Sequence, residues 1–122
     1  MSATGEFWLI LLAIGLASGL GSVVRSGLSD FRGLLGWGII ASNTLAGAAL
    51  GLLPAFGSGS VALTVLAIGF LGGLSTFSGV AGDAFYFWNR GRIVQLALTL
   101  IANLLLPLAA LWMVRYLVLS EW

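Results

Sequence analysis

The chain has 122 residues, of which 60% are hydrophobic and only 7% are charged, and its mean hydropathy is +1.11. Five arginines and four acidic residues give a net charge of +1, with no histidine and no cysteine. A soluble domain carries about 25% charged residues, so this composition predicts an integral membrane protein instead. It excludes the basic face of a nucleic-acid-binding protein, a transition-metal cluster and a disulfide.

Four uncharged stretches follow one another along the chain, at residues 7–24, 34–53, 61–82 and 93–114. Each is close to the roughly 20 residues that a helix needs to cross a bilayer, and none alternates like a barrel strand. The start of the chain carries only Glu6, whereas a cleavable signal begins with positive charge. We therefore predict an all-α membrane protein, a single domain over residues 1–122 whose first span is retained in a cytoplasmic membrane. Tryptophans lie towards the span ends, as interfacial aromatics do: Trp8, Trp37, Trp88, Trp112 and Trp122.

Small residues recur at four-residue spacing on three of the spans. Membrane helices associate through close backbone contact, which glycines permit. This pattern predicts tight packing of three glycine pairs: Gly15 with Gly19, Gly47 with Gly51, and Gly69 with Gly73.

The third span has an unusual middle, because residues 69–79 combine glycines with hydroxyl residues. Adjacent glycines weaken a helix by about 1 kcal/mol each relative to alanine. One interpretation is a helix broken near its middle, whose carbonyls face a cation. The other is a kink in which the hydroxyls bond back to the helix.

Few polar side chains lie within the spans, and none of them is permanently charged. Their N–H and O–H groups suit a small anion that sheds its water and binds weakly at several sites. The Phe77 ring adds a partly positive edge that could border such a path. Asn43 has two interpretations, a pore-lining amide or an interhelical hydrogen bond. The candidates are Asn43, Ser75, Thr76, Ser78, Thr99 and Asn103.

The stretch GFLGGLSTFS at residues 69–78 closely resembles the central motif of the CrcB/Fluc fluoride channels. Further similarities are residues 19–25 at the end of the first span, residues 42–44 with the glycines that follow, and Arg90-Gly91 before the last span. The likeness covers nearly the whole chain. It implies four spans and a fluoride channel that is not an enzyme.

The resemblance also implies an assembly and a set of site residues. Members of the family form antiparallel dimers with two pores, made from one dual-topology protein or from two oppositely oriented homologues. Asn43 would be the pore-lining amide, Phe77 a ring along the fluoride path, and Ser75, Thr76 and Ser78 hydroxyl donors. A structural sodium ion would lie at the dimer interface, held by the backbone carbonyls of Gly72 and Ser75.

Two positions depart from the family pattern. Val80 stands where a second phenylalanine is usual, three residues after Phe77. A tyrosine usual in the last span is absent, and Thr99 or Asn103 takes its place. These changes bear on the quality of one of the two pores.

The function that follows is passive export of cytoplasmic fluoride, which confers fluoride resistance. Hydrogen fluoride crosses lipid and dissociates inside, and the negative interior drives the anion out at about 2.3 kcal/mol per 100 mV. Two alternatives are a small multidrug-type proton-coupled exporter and a non-conducting partner subunit. The first requires a carboxylate in the middle of a span, preferably the first span, where this chain has none.

The arginines predict the orientation. Those next to the first and third connections lie on one side, and the positive-inside rule makes that side cytoplasmic. Both termini would then lie outside, and membrane lipid would surround the spans. The arginines on the cytoplasmic side are Arg25, Arg32, Arg90 and Arg92, against Arg115 alone on the other.

Overall fold

The computed structural model describes residues 2–57 and 59–121, and all regular structure within them is helical. Met1, Ser58 and Trp122 lie outside the described residues, and with them part of the Gly/Ser connector and the last of the five tryptophans. Four helical segments are long and apolar enough to cross a membrane: Ala3–Ser29, Trp37–Phe56, Val61–Asn89 and Ile93–Ser120. The predicted all-helical class with four spanning segments is confirmed.

The first two helices extend differently from the uncharged stretches that predicted them. Helix α1 covers Ala3–Ser29 and continues past Arg25, because a charge near the membrane surface does not end a helix. Helix α2 covers Trp37–Leu52 and ends in a 3₁₀ turn at Leu53–Phe56. It begins at Trp37 rather than residue 34, because the connection turns through a left-handed Gly36 with φ 68°.

The third span consists of two helical parts. Its first part, α3 (residues 61–74), contains a widened π-helical segment at Val65–Leu71. Ser75 and Thr76 then adopt extended backbone, with ψ angles of 150° and 130°. Helix α4 (Phe77–Asn89) begins immediately afterwards, and the Thr76 side chain caps it by accepting the Gly79 N–H. The last helix, α5, covers Ile93–Ser120 and includes Pro107.

Helix packing uses most of the predicted glycines. A Cβ atom added at Gly47 or Gly51 would overlap the carbonyl oxygens of Pro107 or Leu111 on α5. On α3, a Cβ at Gly73 would overlap the Ser18 carbonyl oxygen of α1, and one at Gly69 would crowd the Ala17 side chain and the Ile14 carbonyl. A Cβ at Gly15 or Gly19 would meet nothing within 4 Å. The prediction is therefore confirmed for two pairs, whereas Gly15 and Gly19 contact no other helix among the described residues and their packing stays a prediction.

Two arginines join the first and third connections at one end of the bundle. The guanidinium carbon of Arg32 lies 4.2 Å from the centroid of the Tyr86 ring, and that of Arg90 lies 3.7 Å from it. Such contacts with an aromatic face are attractive. The residues of both connections therefore lie on the same side, as the sequence predicts.

Candidate functional site

The Asn43 side chain binds the backbone at the interruption of the third span. Its Oδ1 accepts the Thr76 N–H at 2.7 Å, and its Nδ2 donates to the Thr76 carbonyl at 3.2 Å. Asn43 is only 9% exposed and lies in the middle of α2. The Asn43 amide thus forms hydrogen bonds with both the N–H and the carbonyl of Thr76. In an uninterrupted helix these two groups would bond to the backbone of the helix instead.

A second amide, on α5, completes the arrangement. Asn43 Nδ2 also donates to Asn103 Oδ1 at 2.8 Å, and Asn103 Nδ2 donates to the Thr99 carbonyl at 2.9 Å. The Thr99 hydroxyl in turn donates to the Leu35 carbonyl at 2.9 Å. Hydrogen bonds thus connect α5, α2 and the third span through two side-chain amides.

These contacts determine the orientation of both amides. The Thr76 N–H can only donate, so Oδ1 must be the Asn43 atom that faces it. Both N–H groups of Asn43 then donate to protein acceptors, whereas Asn103 uses one of its two. The interhelical hydrogen bond considered for Asn43 is present, and it joins three helices.

An apolar groove with a volume of about 460 Å³ lies beside this network. We call it the Phe77 groove, because that ring, 87% exposed, stands at its edge. Val80 also lines it, at the position where the family has its second phenylalanine. The rest of the lining includes Asn43, Gly47, Ser75, Thr76, Asn103 and Pro107, together with Ala46 and four leucines.

On the other side of Thr76 lies a polar pocket of about 470 Å³, here called the vestibule. Thr76 is the residue common to the linings of both spaces. The Thr76 and Ser78 hydroxyl oxygens lie 3.0 Å apart, and Thr76 Oγ1 also accepts the Gly79 N–H. Only one hydroxyl proton is needed between the two oxygens, so the second can be donated to another group.

The vestibule walls carry charged residues of both signs. Arg32 Nε and Asp83 Oδ1 form an ion pair at 3.3 Å, and Asp83 is 5% exposed. The second Asp83 oxygen has no hydrogen-bond partner among the described residues and lies against Gly36. Arg25 and Asp30 line the same pocket. An anion there would meet guanidinium groups and hydroxyl donors as well as carboxylates.

The sequence alone did not identify three of these features. Arg25 Nη1 donates to the Gly73 carbonyl at 3.1 Å, and Ser22 Oγ approaches the same oxygen at 3.4 Å. The Arg32–Asp83 ion pair joins residues 51 positions apart. Only the opposite charges beside two spans could have suggested it, because no spacing rule relates positions so distant.

The backbone geometry frees two carbonyls at the interruption. In a continuous helix the Gly72 carbonyl would accept from Thr76, and the Ser75 carbonyl from Gly79. Both donors bond elsewhere, to Asn43 Oδ1 and Thr76 Oγ1. Carbonyl oxygens are ligands for hard cations such as Na⁺. Among residues 2–57 and 59–121 no group of three or more Asp, Glu, His or Cys residues is placed to hold a metal ion, so a cation here would depend on carbonyls.

Comparisons with known proteins identify relatives of this chain. Residues 12–115 match the family model described as CrcB-like protein, Camphor Resistance (CrcB). A fluoride-specific ion channel FluC of Psychrobacter arcticus is 38% identical over 93 residues, which cover 68% of this chain and 75% of that protein. The FluC of Polynucleobacter asymbioticus is 30% identical over 118 residues, covering 86% and 94%. That of Paracoccus denitrificans is 34% identical over 106 residues, covering 81% and 86%.

Proposed function

Because the chain belongs to the CrcB-like family, we propose that it is a subunit of a fluoride-specific ion channel in the cell membrane, and not an enzyme. The observation that carries this proposal is the meeting of two spaces at Thr76. A charged, polar vestibule opens on one side of that residue and the Phe77 groove on the other. This arrangement suits a path along which a small anion exchanges water for hydroxyl and ring-edge contacts.

The proposed fluoride path runs from the vestibule past the Thr76–Ser78 hydroxyl pair into the Phe77 groove. The unused hydroxyl proton and the free N–H of Asn103 are donors to a dehydrated anion. Ser75 belongs to the same path through the resemblance, and Thr99 as a polar residue of the last span, although Thr99 is fully buried and its hydroxyl bonds to Leu35. Asn43 lines the groove, and its main contribution is to hold Thr76.

Transport needs no energy source beyond the membrane potential, which drives an anion outward at about 2.3 kcal/mol per 100 mV. A proton-coupled exporter is not favoured. Such a protein needs a carboxylate that binds and releases protons in mid-membrane, whereas Asp83 is paired with Arg32 in the vestibule.

Fluoride efflux from liposomes tests the function. The purified chain is reconstituted alone and together with a homologous subunit, and efflux is followed with a fluoride electrode without a proton gradient. We expect fluoride to leave and chloride to be retained in at least one arm. Fluoride movement that requires an imposed proton gradient, or its absence in both arms, would contradict the proposal.

We further propose an antiparallel dimer with sodium at its centre. The interruption at Ser75 and Thr76 supports the broken third helix on which that assembly depends. Gly15 and Gly19, where an added Cβ would meet nothing within 4 Å among the described residues, support a second chain that packs against α1. The carbonyls of Gly72 and Ser75, each deprived of its helical donor, would hold the ion, and bound Na⁺ would neutralise carbonyl dipoles that lipid cannot solvate.

The arginine distribution predicts that both termini face the outside. Arg32 and Arg90 share Tyr86 at one end of the bundle, and that end carries most of the positive charge. A reporter fused to the C-terminus should therefore be active only on the outer face of the membrane. Equal activity on both faces would instead indicate insertion in two orientations.

The same asymmetry favours an oppositely oriented homologue as the partner. A protein that inserts both ways should avoid a strong arginine bias, and Val80 removes an aromatic ring from the groove. A partner could supply that ring in one pore, while Thr99 or Asn103 would be the substitute in a homodimer. We expect this chain alone not to rescue growth of a fluoride-sensitive host, and co-expression with the homologue to rescue it. Rescue by a conducting homodimer would contradict the heterodimer.

A further inference from the structure

We propose that Asn103 is a positioning residue for the sodium site: it holds the Asn43 carboxamide in the orientation that keeps the Gly72 carbonyl available. Asn103 lies on α5 and its side chain bonds to Asn43 and to Thr99 of its own helix. The inference rests on the sodium site proposed above. It assigns to Asn103 a role separate from any contact with fluoride.

The Thr76 N–H has two possible acceptors, Asn43 Oδ1 and the Gly72 carbonyl. In a continuous helix it would donate to the Gly72 carbonyl, four residues earlier. The N–H instead donates to Asn43 Oδ1 at 2.7 Å, and Thr76 has extended backbone. If Asn43 Oδ1 were lost from this place, the N–H would again favour Gly72, because an unpaired donor in a membrane is costly. Asn43 therefore competes directly with closure of the interruption.

The orientation of the Asn43 carboxamide decides which of its atoms faces the Thr76 N–H. A rotation that exchanged its oxygen and nitrogen would set two N–H donors against each other at Thr76. Asn103 Oδ1 opposes that rotation, because it accepts from Nδ2 at 2.8 Å and would otherwise face an oxygen. Asn103 cannot easily rotate itself, since its own Nδ2 donates to the Thr99 carbonyl at 2.9 Å. The orientation is thus anchored to the backbone of α5.

The adjacent Gly73 carbonyl is not available as a sodium ligand. Gly73 already accepts from Arg25 Nη1 at 3.1 Å, with Ser22 Oγ at 3.4 Å. Its oxygen would have to lose a charge-assisted hydrogen bond before it could bind sodium. Among residues 2–57 and 59–121 no side chain donates a hydrogen bond to the Gly72 carbonyl, and Asn43 holds the Thr76 N–H away from it. The availability of the Gly72 carbonyl therefore depends on a residue of another helix.

The test measures how sodium stabilises the purified protein. Thermal unfolding of the wild-type protein and of Asn103→Leu is followed at increasing NaCl concentration. N-methylglucamine chloride keeps the ionic strength constant. We expect Asn103→Leu to raise the sodium concentration for half-maximal stabilisation about tenfold, the effect of losing roughly one hydrogen bond. Saturating sodium should recover most of the lost stability. Asn103→Ala, which is smaller, gives the same comparison if the leucine variant does not fold.

The control is Thr99→Val, which removes the buried hydrogen bond to Leu35 but keeps the Thr99 carbonyl that holds Asn103. It should lower stability at every sodium concentration without moving the half-maximal point. The same pattern in Asn103→Leu would overturn the inference, and so would a wild-type protein whose stability ignores sodium. Fluoride efflux measured on the same preparation reports separately on the channel function.

Discussion

Replacing Asn43 by alanine is expected to lower fluoride efflux on the order of a hundredfold, because the side chain loses three hydrogen bonds that together contribute about 3 kcal/mol. The substitution removes the two hydrogen bonds that the Asn43 side chain makes to the carbonyl and the N–H of Thr76. The Thr76 N–H would then favour the Gly72 carbonyl, and the hydroxyl pair at the head of α4 would shift. Asn103 Oδ1 would also lose its donor beside the Phe77 groove.

Efflux from liposomes with equal amounts of protein measures this effect, and gel filtration checks that assembly is unchanged. Asn43→Asp is a second variant, in which a carboxylate oxygen faces the Thr76 carbonyl and Asn103 Oδ1. It should be at least as damaging, because like partial charges then oppose one another and repel the anion. The matched control is Thr64→Ala, which removes an exposed hydroxyl bonded to the Ser60 carbonyl of its own segment. Efflux from the Asn43→Ala protein as fast as from that control would contradict the role of the amide.

The second large effect is expected for Gly47→Ala, which should destabilise the protein by about 3 kcal/mol through overpacking. The added methyl group would overlap the Pro107 carbonyl, a backbone atom that cannot move without displacing α5. Separating α2 from α5 would also lengthen the hydrogen bond between the two amides. Thermal unfolding in detergent measures the loss.

The control is the same substitution at Gly27, where a Cβ would meet no described atom within 4 Å. Alanine favours a helix over glycine by about 1 kcal/mol, so Gly27→Ala should be neutral or slightly stabilising. If the glycine-to-alanine change lowers stability at residue 47 but not at residue 27, close packing is the cause of the loss. A Gly47→Ala protein as stable as the Gly27→Ala protein would show that α2 and α5 have room to separate.

The sequence alone determined that the chain is a membrane protein and that it has four spans. Only 7% of the residues are charged, which is too few to cover the surface of a soluble protein. In lipid, an uncharged stretch of about 20 residues can form only a helix or part of a closed barrel, because its backbone groups must be hydrogen-bonded within the protein. Glycines and hydroxyls at residues 69–79 left two interpretations open, a broken helix and a kink, and the extended backbone at Ser75 and Thr76 agrees with the first. Helix ends were less predictable, because Arg25 and Asp83 lie within helices.

Only the tertiary structure decided which groups the polar residues contact. Asn43 lies 33 positions from Thr76 and 60 from Asn103, so no periodicity in the chain relates them. The same holds for the Arg32–Asp83 ion pair and for the arginine on the Gly73 carbonyl. In lipid every N–H and C=O must find a partner, but which partner depends on how closely the helices pack. Glycine pairs such as Gly47 and Gly51 permit that approach, and the approach then selects the hydrogen bonds.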